Sequence, residues 1–573
     1  MQLTTHSATS WDGTRLFYRA WMPEKPAGKA VLLFHRGHEH SGFWQETVDA
    51  LHLDDCSVFA WDQRGHGQSD GERGQAPNVA AVIKDADLFA RHLCETHGID
   101  LQQTVVIAHS IGAVIAAGWV HDYAPRLCGM VLAAPAFRVK LYVPLAIPLL
   151  RMRQKFFGPG IVKSYVKAKL LTHDAERIGA YEKDPMVFRQ IAVNMLLDLH
   201  DTSARLVKDA GAITTPTLII AAGKDWIVEL PVQRDFYARL SSAVKQFEVI
   251  PGAYHSIFQE TNRREVVERV KGFVLDCFRR TPCDNGQLNA DQGGYTRTEY
   301  DLLRSPGEAH WSLIRLFLQT FGRLSDGVSL GWNAGFDSGL SLDYVYNNRP
   351  AGRALLGWLI DYFYLNSIGW RGIRARRANL QDSLRLSMEQ LAKAGRAVRI
   401  LDVACGAGRY VVETMKTMAA VPVTAVLRDY KQENLDAAAR LAKQLGVSGI
   451  TTVLGDAFDR DSLASLTPRP TIAIVSGLYE LFPENAPIRR SLEGIAQTIE
   501  VGGHLIYTCQ PWHPQVEFIA RVLTNRESKP WIMRRRTQAE MDALVRAAGF
   551  EKISQAVDRW GVFTVSVARR RPT

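Results

Sequence analysis

Ser110 stands in "AHSIG", directly after the apolar run "TVVIA" and before the small-residue stretch "GAVIAAGWV". A serine on a tight strand-to-helix turn needs small residues two before and two after it, here Ala108 and Gly112. Such a turn exposes the hydroxyl near a helix N-terminus, whose N–H groups favour developing negative charge. A hydroxyl still needs a base, and the base an orienting acid. Two later stretches offer them just past apolar runs: Asp225 in "AAGKDWIV" and His255 in "VIPGAYHSIF". Alone, Ser110 reads equally as a buried turn serine. With Asp225 and His255 at strand ends, the nucleophile reading is favoured.

A second chemistry-bearing turn is "LDVACGAGRY", residues 401–410. Three ligands compete for it. A Walker loop needs GxxxxGK[ST], and no Lys or Ser/Thr follows Gly408 at that spacing. A dinucleotide loop needs a small third residue for close helix packing, where Val411 stands. Asp402 lies at the mouth of the loop, where a carboxylate would repel a pyrophosphate but not a cationic sulfonium with an amino group. S-adenosylmethionine therefore fits the charge as well as the spacing, around Ala404, Cys405, Gly406 and Gly408. Asp429, ending "TAVLRD", is placed to accept hydrogen bonds from ribose hydroxyls. Asp456 in "VLGDAF" could take an adenine amino group. Tyr479 and Glu480 in "SGLYELFPE" and His513 in "CQPWHPQ" are candidates to line an acceptor site, and each taken singly reads equally as structural. Methyl transfer can run by positioning, so no base is required.

These turns must be positioned by strands. Through 12–280, apolar strands such as "AVLLFH", "CSVFAW" and "PTLIIAAG" alternate with helical stretches, which predicts an α/β fold with a mainly parallel sheet. Residues 137–210 are too long for a crossover and are expected to form a cap over the sheet edge. The polar, Gly- and Asn-rich 281–296 has linker composition. A mostly helical, aromatic stretch follows over 297–392, and a second α/β segment fills 393–573. The expected organisation is thus a 1–280 domain, a linker, a helical extension and a Rossmann-like domain.

Together, "HRGHEHSGFW", "WDQRGHGQSDGERG", "AHSIGA", "GKDWIV" and "PGAYHSIF" resemble the monoacylglycerol lipase and lysophospholipase group of α/β-hydrolases, over about 1–280. The resemblance implies Ser110 as nucleophile, His255 as base, Asp225 as its orienter, and the N–H groups of Gly37 and Ile111 as oxyanion hole. Arg36 and His38 depart from it, standing where glycines are usual; they could bind an anionic head group or crowd the pocket. Residues 390–573 resemble class I S-adenosylmethionine-dependent methyltransferases, with Ala404 in place of the first loop glycine. The strands around "ISQAVDRWGVFTVSVARR" look like that family's antiparallel closing pair.

The bulk composition limits the alternatives. A formal charge of +10 on 573 residues suits acidic substrates or an anionic membrane surface, and no nucleic-acid-reading module is apparent. Seven cysteines without CxxC pairs suggest neither a disulfide framework nor a zinc site, so no metal is expected. No basic-then-apolar leader opens the chain, and "LYVPLAIPLL" is too short to span a bilayer. Arg138 to His173 holds eight Lys or Arg, no acid, and interleaved apolar residues, a pattern suited to an anionic bilayer. The basic clusters "WRGIRARR" (370–377) and "WIMRRRT" (531–537) would suit phosphate-bearing acceptors. The expectation is a cytoplasmic fused enzyme, touching the inner face of a membrane: a serine hydrolase of lipid or lipid-like esters followed by a methyltransferase. Two rivals stay open: a hydrolase with a cofactor-sensing C-domain, and a membrane-tethered interaction protein disabled by Arg36. Ester, acceptor and oligomeric state are not legible.

Overall fold

A computed structural model of the chain describes residues 1–25, 27–280 and 285–572. It divides into two compact units, Met1–Cys283 and Asp284–Thr573.

The strands of the first unit are β1 (Gln2–Thr9), β2 (Arg15–Met22), β3 (Lys29–Phe34), β4 (Cys56–Trp61), β5 (Thr104–His109) and β6 (Gly129–Ala133). A small hairpin of β7 (Ile161–Lys163) and β8 (Gln190–Ala192) follows, then β9 (Thr217–Ala222) and β10 (Lys245–Ile250). Eight of them form one sheet in the order β1-β2-β4-β3-β5-β6-β9-β10. β2 runs antiparallel to both neighbours; from β4 onward the pairing is parallel. The central strands are apolar runs buried on both faces, as parallel strands covered by helices must be. β1 escapes a periodicity reading because it is a polar, mostly exposed edge.

Between β6 and β9 the chain leaves the sheet to form three helices, Ala146–Phe157, Ala175–Lys183 and Val193–Lys208, with the hairpin among them. The last of these helices is tied to the helix Ile111–Tyr123 by a buried charge network. Arg205 donates to both oxygens of Asp122, at 2.6 and 2.8 Å, and His121 bridges Asp122 and Asp209 at 2.7 Å each. Burial alone would lower the His121 pKa, but the two carboxylates outweigh it and hold it above the usual value.

The second unit carries β11 (Val398–Asp402), β12 (Val423–Asp429), β13 (Ile450–Leu454), β14 (Ile472–Val475), β15 (His504–Cys509), β16 (Phe550–Val557) and β17 (Thr564–Arg570). Their order is β13-β12-β11-β14-β15-β17-β16. The first five are parallel, and β17 is antiparallel to β15 and β16, which is the closing pair expected from the sequence. The order reverses between β11 and β14, and in open sheets ligands bind beyond the strand ends at such a switch. The helix Ile368–Lys393 buries Leu380, Leu384, Met388 and Leu391, one stripe at helical spacing, in the core that β11 shares.

The stretch 281–296 does not behave as a free linker where it is described; 281–284 lie outside the described residues. Short helices run over Asn285–Leu288 and Ala290–Gly293. Asp291 accepts from the Asn485 N–H at 2.8 Å, and Thr296 Oγ1 accepts from Arg534 at 2.7 Å, both residues being buried. Its anchors are polar groups satisfied by distant partners, which a local composition cannot reveal.

Candidate active sites

Ser110 directly follows β5 and caps the helix Ile111–Tyr123 with a φ of 57°, a positive φ costly for a non-glycine residue. The turn tolerates only glycine at 112, because a Cβ there would lie 2.5 Å from the His35 carbonyl oxygen and 2.6 Å from that of Phe34. The loops after β9 and β10 bring Asp225 and His255 to this turn. His255 Nδ1 donates to Asp225 Oδ2 at 2.8 Å, which leaves Nε2 to accept from the Ser110 hydroxyl at 2.7 Å. Asp225 Oδ1 accepts from the N–H groups of Ile227 and Val228 at 2.7 and 3.0 Å. Burial pushes the Asp225 carboxyl up, but His255 and these N–H groups prevail and hold it below the usual range. His109 donates Nε2–H to the His255 carbonyl at 2.9 Å and so fixes the loop. All three residues are buried.

Gly37 lies against the helix start: a Cβ on it would come 2.7 Å from Ile111 Cδ1. N–H groups in a helix's first turn have no intrahelical acceptor, so Ile111 presents one beside Ser110. Arg36 does not reach for an anionic ligand. Its guanidinium pairs with Glu39 at 2.7 Å, both side chains 4% exposed, and covers the Tyr181 ring at 4.8 Å. Glu39 was not legible as its partner. His38 is no cation either, since burial lowers its pKa to about 3. It lines, with Gly37, Ile111, Met195 and Leu199, a cavity of only about 40 Å³.

In the second unit a cavity of about 1070 Å³ opens beyond the ends of β11 to β14. Its lining includes Ala404, Cys405, Gly406, Gly408, Asp429, Asp456, Glu480 and His513. Gly406 and Gly408 have φ of 54° and 60°, and a side chain at Gly406 would meet open space. Asp429 braces the loop, accepting from Gly406 N at 2.9 Å and from Asn434 Nδ2 at 2.9 Å. Burial drives the Cys405 thiol pKa up, consistent with a packing role.

Two predicted residues are not brought to this cavity. Asp402 is fully buried beneath the loop and accepts from the Tyr410 hydroxyl at 2.5 Å. Burial pushes its carboxyl up to about 7, so the charge argument that placed it at the mouth does not hold for Asp402. Tyr479 is buried with its hydroxyl on Ser491 Oγ at 2.9 Å, away from the lining. Glu480, by contrast, is buried with Oε1 accepting from Thr508 at 3.3 Å, while Oε2 has no partner among the described residues. His513 Nδ1 accepts from Gln515 N at 3.1 Å, and burial lowers its pKa to about 4.

The basic clusters are largely spent inside the fold. Arg534 pairs with Glu540 at 2.6 Å, Arg535 with Glu299 at 2.5 Å, and Arg536 donates to the Tyr479 carbonyl at 2.6 Å. Of 370–377, Arg377 pairs with Glu413 and Arg374 donates to the Leu365 carbonyl. Arg376 is the arginine of that stretch that lines the cavity. Sequence reasoning also missed Asp337 and Asp343, which line the cavity and pair with Arg526 and Arg409 at 3.0 and 3.1 Å.

The sheet orders and the two glycine-bearing turns define an α/β-hydrolase half and a Rossmann-like methyltransferase half. The model of a family described as "Serine aminopeptidase, S33" matches residues 25–262, and that of a family described as "Putative methyltransferase" matches residues 270–570. The chain belongs to this methyltransferase family, with an α/β-hydrolase domain of the monoacylglycerol lipase type preceding it. It is 47% identical to the uncharacterized protein YnbC of Escherichia coli (strain K12), over 99% of this chain and 98% of that one. The first half is 26% identical to a monoacylglycerol lipase of Mycolicibacterium smegmatis, over 47% of this chain and 96% of the lipase. A solved monoglyceride lipase from Saccharomyces cerevisiae matches at 21% identity and a TM-score of 0.44, over 48% of this chain and 95% of that one.

Proposed function

We propose that the chain is a bifunctional enzyme: a serine ester hydrolase of lipids or lipid-like esters joined to an S-adenosylmethionine-dependent methyltransferase. The observation that carries the first activity is the hydrogen-bonded line Ser110–His255–Asp225. His255 Nε2 takes the Ser110 proton as Oγ attacks the ester carbonyl. The N–H groups of Gly37 and Ile111 stabilise the oxyanion, and the ionised Asp225 stabilises the imidazolium. His255 then returns the proton to the leaving alkoxide, and water releases the acid from Ser110. The monoacylglycerol lipase relative supports a lipid ester as substrate. The 40 Å³ cavity lined by Gly37 and Ile111 is far below the roughly 300–1,000 Å³ of ligand sites, so that cavity alone does not hold an acyl chain.

For the second activity, the residues fit the cofactor. Gly406 lines the cavity with bare backbone at a φ of 54°, Asp429 stands where ribose hydroxyls would be met, and the exposed Asp456 where an adenine amino group would be. Bound there, S-adenosylmethionine supplies an electrophilic methyl group. Glu480 and His513 orient the acceptor from the far wall, and Glu480 Oε2 is the oxygen left to take a donor from it. We place the protein peripherally at the cytoplasmic face of an anionic membrane; among the described residues no helix is long and apolar enough to cross one.

A fluorophosphonate probe and a calorimetric titration with S-adenosylmethionine, on one sample, test both halves. Labelling that vanishes in Ser110→Ala and saturable cofactor binding are expected. Full labelling of Ser110→Ala would sink the hydrolase assignment, and tight binding of NAD in place of the methyl donor would sink the other.

A further inference from the structure

The helical layer of the second unit leaves a large apolar face uncovered. The helices Ala309–Thr320 and Ala354–Leu365 both pack on the turn Phe321–Leu324. Their outward side chains include Leu313, Phe317, Phe321, Leu355, Trp358 and Phe363, from 42% to 72% exposed. A soluble surface rarely shows so many large apolar side chains together unless they meet a partner.

The charges around this face name the partner. Across 309–325 and 347–363 the cations are Arg315, Arg323, Arg349 and Arg353. The single carboxylate in those stretches, Asp361, is fully buried. It accepts from Ser325 Oγ, Tyr344 Oη, Gly327 N and Ala351 N, between 2.5 and 2.9 Å, and so offers nothing outward. Two exposed acids, Glu308 and Asp326, lie at the edges of these stretches, so four arginines leave a net positive surround. Apolar and aromatic side chains in such a surround suit an anionic bilayer, where aromatics sit at the head groups and arginines reach phosphates.

The face is also continuous with the cavity. Phe317 and Phe363 are more than half exposed, yet both line it, beside the apolar walls Leu318, Val328, Phe336 and Ile360. An acyl chain could pass from this face to the loop beyond β11 without crossing water.

We propose that the second unit docks on an anionic lipid bilayer through the exposed face of the helices Ala309–Thr320 and Ala354–Leu365, and draws a membrane amphiphile as methyl acceptor through the cavity mouth that Phe317 and Phe363 flank. The acceptor clause rests on the methyltransferase reading above; the docking clause does not.

The test uses the full chain carrying Lys163→Glu, Lys167→Glu and Lys169→Glu, so that the cap of the first unit does not carry it to lipid. Binding to vesicles of phosphatidylcholine with phosphatidylglycerol is compared before and after adding Leu313→Glu and Leu355→Glu. Both positions are exposed and neither lines the cavity, so folding and cofactor affinity should be kept. A loss of at least about tenfold in partitioning is expected, since two side chains leave the apolar phase. Quenching by brominated lipid should fall in Trp358→Phe. Equal vesicle binding with and without the two glutamates would overturn the docking, as would a lipid-free dimer that they dissociate with no effect on vesicles, which would assign the face to a second copy. Patch-dependent vesicle binding without any S-adenosylmethionine binding would leave the docking standing and overturn the acceptor clause with the methyltransferase reading.

Discussion

Asp402 carries a cost that the loop above it does not share. Its carboxyl titrates near 7 in the fold because burial disfavours the anion, against about 3.9 in an unfolded chain. The native state therefore binds more protons than the unfolded one between those values, and its stability falls as pH rises from about 4 through about 7. Asp402→Asn keeps an oxygen for the Tyr410 hydroxyl and removes the charge. Urea unfolding should show the variant matching wild type near pH 4 and exceeding it at pH 8, by on the order of 4 kcal/mol at most. Parallel pH profiles would contradict the assignment. Arg36 and Glu39 are a second buried case, two groups paired across a turn, with burial still pushing the Glu39 carboxyl up against the pull of the guanidinium. Glu39→Gln alone should cost about 3–5 kcal/mol, because it strands a buried guanidinium, whereas Arg36→Met with Glu39→Leu should cost less than either single change. A double-mutant cycle in urea measures this. Both cases mark where sequence stops. The types and order of Ser110, Asp225 and His255 were legible because each follows an apolar strand. The partners Glu39 and Tyr410 were not, because pairing across a turn leaves no periodic trace.

At the scale of elements, apolar runs translated well into central strands, and polar runs translated poorly into surfaces. The arginines of 531–537 read as a ligand-binding cluster, yet burial against Glu540, Glu299 and backbone carbonyls consumes them. Charge counting cannot tell a solvated cluster from an internally paired one. The cap cluster fares differently. Arg151 pairs with Asp201 and Lys140 donates to the Asp225 carbonyl, but Lys155, Lys163, Lys167 and Lys169 are exposed. Beside them the helix Ala146–Phe157 buries no residue and presents Leu149, Met152, Phe156 and Phe157 outward. We expect Lys163→Glu, Lys167→Glu and Lys169→Glu together to weaken binding to anionic vesicles. At about 1 kcal/mol for each lysine near the surface, the loss should be at least about a hundredfold, shrinking as salt rises. Hydrolysis of a soluble short-chain ester should persist, since the Ser110 line is untouched. Unchanged vesicle binding across a salt series would reduce the cap to an ordinary lid.

At the scale of the whole molecule, the two halves keep separate cores. The first is built around β3 to β6 and β9 with Phe273 and Cys277, the second around β11 to β15 with Leu384 and Ile488. Separate cores argue for separate chemistries that can be switched off one at a time. Ser110→Ala should abolish serine labelling and esterase turnover while leaving the S-adenosylmethionine affinity as in wild type. Asp429→Ala should do the reverse. It removes a carboxylate that braces Gly406 and stands ready for the ribose, so cofactor binding should weaken by about 1.5–3 kcal/mol, the order of a lost charge-assisted hydrogen bond. Esterase activity should not move. Heat unfolding gives a second readout. A ligand stabilises only the cooperative unit that binds it, so saturating S-adenosylmethionine should raise one of two transitions in wild type and in Ser110→Ala, and raise it less in Asp429→Ala. A single transition, or a cofactor affinity that changes when Ser110 is replaced, would mean that the halves are energetically coupled and would overturn their independence.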